Sequence, residues 1–141
     1  MNLPQYVPPE ATIRELITRH ARLQPSGVYA IFPETQTTLT YKDLEQEVQA
    51  YAAQFDALGL IQGDTVSFMM ANGKTALVLF LSALYTGLII SPLNPAAGPD
   101  QIAYVLEHSD TKVVFVSEAS KAVILSLGDK LPKHIRLVDA H

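Results

Sequence analysis

The chain has 141 residues, a formal net charge of −4 and no cysteine. Its length is that of one domain, and its content of 48% hydrophobic and 17% charged residues is typical of a folded globular protein, which excludes a disordered tail and a collagen-like rod. The 10 basic and 14 acidic residues are spread along the chain, so no basic patch predicts nucleic-acid binding. The lack of cysteine excludes disulfides and thiolate metal sites, and it fits a reducing, cytoplasmic compartment.

The N-terminal segment predicts an extended arm that leads into a helix. Residues 1–10 hold three prolines and neither a positive charge nor a long apolar run, so they do not resemble a signal peptide. Thr12 followed by Glu15 is the pattern of a capping box, in which the threonine hydroxyl accepts a bond from the amide three residues on. We therefore expect a helix to begin directly after Thr12.

The next segment predicts a β-hairpin and a long helix. Residues 28–32 and 37–40 are rich in β-branched and aromatic side chains and are separated by a turn. Thr40 with Asp43 predicts the start of the second helix, and Gly59 stands where a helix C-terminus favours glycine. Residues 11–62 are thus expected to form a helix, a hairpin and a long helix.

A repeat of strand and helix occupies residues 63–141. Apolar strand candidates begin 23, 24 and 23 residues apart; they lie near residues 65–70, 88–91, 112–116 and 135–138. Helical stretches are predicted between them, at about 73–86, 99–108 and 118–127. This alternation predicts an α/β fold of one domain (1–141), with a three-layer, Rossmann-like parallel sheet preceded by the N-terminal helix and hairpin.

The segment from Thr75 to Pro99 contains no charged residue. Its 25 residues are long enough to span a membrane. However, Gly87, Pro92 and Asn94 interrupt it, and a buried helix followed by a buried strand explains the same sequence. We therefore expect no membrane span, with a membrane hairpin as the alternative.

The carboxyl ends of the predicted strands, where open parallel sheets bind ligands, carry no catalytic constellation. The sequence has neither the glycine-rich dinucleotide motif nor the phosphate-binding loop, and its four histidines are too dispersed to predict a metal site. Asn72 is interpreted as a helix N-cap, or alternatively as a pocket residue. Asn94, set between Pro92 and Pro95, is interpreted as part of a rigid turn, or alternatively as a ligand contact. We predict no catalytic, cofactor-binding or metal-binding residue, and these four positions only as pocket or scaffold loops.

Several short motifs recur in a fixed order between about residue 10 and residue 138. They are Leu39–Leu44 (LTYKDL), Gly63–Val66 (GDTV), Asn72, Pro92–Pro95 (PLNP) and Val113–Val116 (VVFV). This set resembles the N-terminal portion of the AMP-forming adenylating enzymes, the group of acyl-CoA synthetases, aryl-CoA ligases, luciferases and peptide-synthetase adenylation domains. The PLNP element is most similar to the acyl- or aryl-CoA ligase branch.

The resemblance implies an acid–thiol ligase reaction with ATP, Mg²⁺ and CoA. A carboxylate attacks the α-phosphate of ATP to give an acyl-adenylate, and the thiol of CoA then displaces AMP; fatty acid metabolism is one such setting. The family's phosphate loop, ribose-binding acidic residue and catalytic lysine lie later than this chain reaches, and no segment here matches them. The resemblance therefore implies a fragment that binds no cofactor and is inactive by itself, with the remainder of a ligase chain as its partner.

Two other classes of protein fit the same sequence. A free-standing α/β interaction module would keep the scaffold without the chemistry, and its exposed sheet edge would allow homo-oligomers. A small ligand-binding domain of another family would instead hold a nucleotide or flavin tightly. A reading frame that continues beyond His141 into a Ser/Thr/Gly-rich loop would favour the ligase fragment over the module. The sequence does not predict which carboxylic acid a parent ligase activates.

Overall fold

The computed structural model describes residues 12–141, so the predicted arm at residues 1–10 lies outside the described part of the chain. The chain divides into two compact units, with the boundary between Gln46 and Glu47. That the whole chain acts as a single domain stays a prediction.

The first unit contains one helix, a hairpin and the start of a second helix. Its elements are α1 (Ile13–Leu23), β1 (Val28–Phe32), β2 (Thr37–Thr40) and the first residues of α2 (Tyr41–Ala57). The Thr12 hydroxyl accepts a hydrogen bond from the amide of Glu15 at 3.1 Å, which confirms the predicted cap of α1. The two strands pair antiparallel, with an irregularity near the start of β1.

A reciprocal capping box fixes the start of α2. The amide of Asp43 donates to the Thr40 hydroxyl at 3.1 Å, and the Asp43 carboxylate accepts from the Thr40 amide, also at 3.1 Å. Two backbone donors that the helix leaves unpaired are thereby satisfied. Beyond the end of α2, Gly59 adopts a φ of 75°, the left-handed conformation that its position in the sequence predicts.

The second unit contains the predicted parallel sheet. Its elements are β3 (Thr65–Met69), α3 (Lys74–Thr86), β4 (Ile89–Pro92), α4 (Pro99–His108), β5 (Thr111–Val116), α5 (Glu118–Leu125), a 3₁₀ turn (Gly128–Lys130) and β6 (Arg136–Asp139). The strands pair in parallel in the order β4-β3-β5-β6. The fold class predicted from the sequence is confirmed.

The bounds of each of the four strands differ from the prediction by one residue at one or both ends, and a local hydrogen bond explains two of the differences. Leu88 was expected to begin β4, but its amide donates to Ala83 O at 2.9 Å and so completes the C-terminus of α3. Ile135 was expected to begin β6, but its amide closes a turn onto Pro132 O at 3.2 Å. In both cases a local hydrogen bond holds the residue outside the strand.

Apolar side chains cover both faces of the sheet and make three layers. On one face, the core consists of residues from α2, α3, the loops beside them and the sheet: Phe55, Leu60, Val66, Leu79, Ala83, Leu88, Val113 and Phe115. On the other face, it consists mainly of residues from α4, α5 and the sheet: Met69, Leu93, Ile102, Leu106, Val114, Val116, Ile124, Leu127 and Ile135. Helix α3 therefore lies on the face opposite α4 and α5.

Candidate site at the carboxyl edge of the sheet

The strand order places a topological switch point between β3 and β5. The chain moves from β3 outward to β4, then crosses back past β3 to β5 and continues to β6. Helix α3 leaves β3 on one face and α5 leaves β5 on the other, so the loops after these strands diverge and open a crevice. The amide of Ser117 donates to Met69 O at 3.3 Å, which continues the pairing of β3 with β5 up to the rim of this crevice.

Asn72 lies on the β3 side of this crevice. The prediction that Asn72 caps α3 is wrong, because the cap position is Gly73, which provides no side-chain hydrogen bond, and the helix begins at Lys74. The asparagine is one residue too early to reach the free amides of the first turn. It is instead an exposed residue of the β3–α3 loop. Its alternative role as a pocket residue stays a prediction.

Ser117 lies on the β5 side of the crevice, and no role for it was predicted from the sequence. Its hydroxyl accepts from the amide of Ser120 at 3.2 Å and donates to the Ser120 hydroxyl at 3.0 Å. It is thus the N-cap of α5. A serine directly after an apolar strand is a recognisable cap signal, but only the strand order reveals that it adjoins the loop after β3.

The loop after β4 is a turn built by Asn94. The Asn94 side-chain oxygen accepts from the amide of Ala96 at 2.9 Å, which is an Asx turn. Leu93 is buried, and its amide donates to Phe68 O at 2.9 Å, while Pro92 is the last residue of β4. The geometry agrees with the interpretation of Pro92, Asn94 and Pro95 as a rigid turn. Ligand contact by these residues stays a prediction.

The lysines at this edge are paired with carboxylates. Lys74 Nζ lies 2.6 Å from Glu47 Oε1, and Lys121 Nζ lies 3.0 Å from Asp139 Oδ1. The hydrogen bond to Asp139, with the charge of that carboxylate, raises the pKa of Lys121. Within residues 12–141, no group of three or more histidine or acidic side chains is arranged to hold a metal ion. These residues do not fit Mg²⁺-ATP, because both carboxylates are already engaged by lysines and both lysines by carboxylates.

Two cavities lie in the second unit, neither of them in the crevice. The smaller, of about 240 Å³, lies between α2 and the residue His141, whose carbonyl accepts from the Tyr51 hydroxyl at 3.4 Å. Burial, with the charge of Glu47 as a smaller cause, raises the pKa of Tyr51. The larger, of about 510 Å³, lies at the opposite end of the strands, beside Asp64 and Lys112.

Comparison with known families identifies the scaffold. The family described as AMP-binding enzyme matches residues 17–140, nearly the whole described chain. This chain belongs to the AMP-binding enzyme family. The resemblance inferred from the ordered motifs is therefore confirmed, and so is its link to acyl-CoA ligases.

The curated relatives of this chain include proteins of very different length. The sulfoacetate–CoA ligase of Cupriavidus necator is 33% identical over 113 residues, which are 80% of this chain and 22% of the ligase. A protein of Mycobacterium tuberculosis named as uncharacterized, Rv1549, is 30% identical over 128 residues, which are 91% of this chain and 73% of that protein. The chain thus spans about a fifth of the ligase but most of the shorter relative.

Solved structures share the fold. A fatty acyl-CoA synthetase of M. tuberculosis superposes with a TM-score of 0.82 at 24% identity, over 92% of this chain and 26% of that one. The N-terminal domain of FACL13 from M. tuberculosis also gives a TM-score of 0.82, at 23% identity, over 92% of this chain and 34% of that one. At this identity the likeness establishes the fold of the chain and nothing more.

The uncharged segment from Thr75 to Pro99 forms all of α3 except Lys74, then β4 and the turn after it. Within residues 12–141, no helix combines the length and the hydrophobicity that crossing a membrane requires. The expected helix and strand are both present, and one side of α3 is buried. The expectation that the strand is buried is wrong, because β4 lies at the edge of the sheet and Ile89 is 55% exposed.

Proposed function

We propose that the chain is the N-terminal scaffold of an acyl-CoA synthetase-like ligase and that it does not activate a carboxylic acid by itself. The complete ligase would join a carboxylic acid to ATP as an acyl-adenylate and then transfer the acyl group to CoA. Two matches carry this proposal: residues 17–140 match the AMP-binding enzyme family, and 113 residues of the chain match only 22% of a CoA ligase.

The site geometry supports a scaffold role. Adenylation develops negative charge around phosphorus, and the enzyme stabilises it with preorganised donors and a metal ion. At the carboxyl edge, Lys74 and Lys121 are each held by a carboxylate, and the Asn94 oxygen is used within its own turn. ATP, Mg²⁺ and CoA are therefore assigned to the complete ligase, and the donors that bind them to segments beyond those matched here.

The acid and the compartment are separate parts of the proposal. The relatives are named for acids as different as sulfoacetate, long-chain fatty acids and 4-hydroxybutyrate, so no acid is assigned to this chain. We place the ligase in the cytoplasm, which the absence of cysteine fits.

Pyrophosphate release tests the inactivity of the isolated chain. The purified chain is incubated with ATP, Mg²⁺, CoA and a panel of acids that includes sulfoacetate, short hydroxy acids and long-chain fatty acids. We expect no release above the protein-free rate, whereas the C. necator ligase, as the positive control, releases pyrophosphate with sulfoacetate. Robust turnover by the chain alone would refute the proposal.

A chimera tests the scaffold role itself. Residues 17–140 replace the matched segment of the C. necator ligase, and a ligase lacking that segment is the control. We expect the chimera to fold and to form acyl-adenylate, and the deletion to do neither. A folded chimera without adenylation activity would count against the scaffold role and favour a free-standing module, which the match to most of Rv1549 makes the second candidate.

A further inference from the structure

The larger cavity, of about 510 Å³, lies at the amino ends of the strands, opposite to the crevice. It is lined by residues 63–65, which lead into β3, by residues 89–91 of β4, and by residues 109, 110 and 112 around the start of β5. Pockets that bind small molecules have volumes of about 300–1,000 Å³. The cavity is therefore large enough for a small organic molecule.

The floor of the cavity lies on the face of the sheet against which α4 and α5 pack. Alternate residues of a strand share a face, so Thr65 is on the same face as Met69, which packs in the core with residues of these two helices. Ile89 pairs in register with Thr65, so Ile89 and, two residues on, Ser91 lie on this face too. Ile89 is 55% exposed, so the helices leave the start of the edge strand uncovered.

Thr65 gives the cavity a buried hydroxyl without a partner. The residue is 7% exposed, and its hydroxyl forms no hydrogen bond within residues 12–141. The other buried polar side chains are all bonded, Ser67 to Thr111 at 2.7 Å and Ser82 to a carbonyl of its own helix at 2.6 Å. Because buried polar groups are nearly always hydrogen-bonded, the Thr65 hydroxyl requires a partner from outside the described chain.

The charges around the cavity leave a negative excess. Lys112 Nζ lies 2.6 Å from Asp64 Oδ1, so these two charges neutralise each other. The carboxylate of Asp110 is exposed and has no ion-pair or hydrogen-bond partner in the described part of the chain. Helix α4 ends at His108, two residues earlier, so its partly negative C-terminus adjoins the same wall. The electrostatics of the cavity therefore favour a cation.

We propose that this cavity binds a small organic cation, a primary ammonium group on a short apolar chain. An ammonium group donates three hydrogen bonds, and the cavity offers three acceptors that no described residue uses: the hydroxyls of Thr65 and Ser91 and the carboxylate of Asp110. Ile89 supplies apolar surface for the chain of the ligand. The inference goes beyond the proposed ligase scaffold and does not rest on it, because the cavity and the crevice lie at opposite ends of the strands.

Saturation-transfer NMR of the purified chain with butylammonium chloride tests the binding. So small a ligand is expected to bind with a dissociation constant on the order of 1 mM. Butyrate and 1-butanol have the same apolar chain without the positive charge, and we expect each to bind at least about tenfold more weakly. If either of them binds as tightly as butylammonium, or if butylammonium does not saturate the chain by about 50 mM, the proposal is overturned. Water would then be the partner of the Thr65 hydroxyl.

Two substitutions that keep the local structure test the site itself. Asp110 has a φ of 55°, which asparagine also tolerates, so Asp110→Asn removes the charge and keeps the backbone. Thr65→Val removes the hydroxyl and keeps the shape, and it should not destabilise the chain, because the hydroxyl has no partner to lose. We expect each variant to weaken butylammonium binding by about fivefold or more.

Asp129→Asn is the matched control, because this exposed carboxylate lies on the 3₁₀ turn and outside the cavity lining. It should bind butylammonium like the parent, and far-UV circular dichroism with a cooperative melt verifies that each variant folds. Should Thr65→Val fail to fold, Ser91→Ala takes its place with the same expected loss. Equal affinities of the Asp110→Asn and Asp129→Asn variants would overturn the proposal. None of these outcomes affects the adenylation assays.

Discussion

Three hydroxyls, two of them fully buried and one half-buried, form a chain between β3 and the start of β5. The Thr111 hydroxyl lies 2.7 Å from the Ser67 hydroxyl and 2.7 Å from the Ser109 hydroxyl. Ser67 and Thr111 are fully buried, so neither side chain has water as an alternative partner. These two hydroxyls therefore depend on their neighbours for hydrogen bonding.

Replacing Thr111 with valine keeps the side-chain shape and removes the central hydroxyl. We expect Thr111→Val to lower the free energy of unfolding by about 1–3 kcal/mol, because Ser67 is left buried without its partner. In urea titrations, the double variant Ser67→Ala/Thr111→Val should be less destabilised than the sum of the two single variants. Thr38→Val, at an exposed strand position, is the control and should change stability by no more than about 0.5 kcal/mol. Strict additivity would show that the hydroxyls are not coupled.

Asp64 makes the stability of the fold depend on pH. Its carboxylate accepts from the Ile61 amide at 2.9 Å and lies 2.6 Å from Lys112 Nζ. The Ile61 hydrogen bond and, next, the Lys112 contacts lower the pKa of Asp64 from its ordinary value of 3.8. The charged form is favoured in the folded state, so its contribution to stability is fully present above pH 3.8 and is lost as the pH falls through the lowered pKa.

We expect Asp64→Asn to lower the urea midpoint at pH 7 and the difference from the parent to shrink steadily below pH 3.8. Lys112→Gln leaves the Ile61 hydrogen bond in place and should lower the midpoint less. Urea titrations between pH 7 and pH 2.5 measure both effects. A midpoint difference that is the same at both ends of this range would contradict the assignment.

At the scale of the element, Gly87 ends α3 in a conformation that favours glycine. Its φ is 77°, and its amide donates to backbone oxygens of the last turn of the helix. A Cβ added to it would lie 3.0 Å from the Cγ of Gln62. The residue thus has both a backbone and a steric reason to be glycine.

We expect Gly87→Ala to destabilise the chain by about 1–2 kcal/mol, chiefly because alanine disfavours a left-handed φ. Gly98→Ala is the matched control, since Gly98 has a φ of −68° and open space around its Cα. It should change stability by no more than about 0.5 kcal/mol. Thermal melts of both variants measure the difference, and equal effects would show that the conformation at Gly87 is not what matters.

At the scale of the whole molecule, the strand order predicts a gradient of local stability. Strands β3 and β5 have a strand on each side, whereas β4 and β6 are the edges of the sheet. Side chains on the two central strands, including Met69, Val114 and Phe115, are fully buried. Amides in the central strands therefore open only with extensive unfolding, whereas edge strands open locally.

Native-state hydrogen exchange measures this gradient. We expect amides of β3 and β5 to exchange at least about tenfold more slowly than those of β4 and β6, a difference of about 1.4 kcal/mol in opening free energy. Equal protection of all four strands would contradict an ordering in which β3 and β5 are central.

The sequence by itself determined the elements and the family. Hydrophobic runs that begin 23 or 24 residues apart predicted all four parallel strands. Thr12 and Thr40 predicted the starts of two helices, because helix caps are local signals. The exact ends of helices and strands were predicted less accurately. The roles of Leu88 and Asn72 were each predicted one position out. Leu88 bonds back to the end of α3 instead of starting β4, and the N-cap of α3 is Gly73 instead of Asn72.

Only the tertiary structure decided which loops and faces meet. Strand order is a long-range property, so the adjacency of Ser117 to Met69 and the hydroxyl chain through Ser67 and Thr111 left no trace in local sequence. The uncharged stretch that forms most of α3 is visible in the sequence. Only the tertiary structure shows that the sheet covers one side of this helix and leaves Phe80 and Leu84 partly exposed on the other. Side chains brought together by pairing and packing depend on the whole fold, whereas caps and strands depend on a few neighbouring residues.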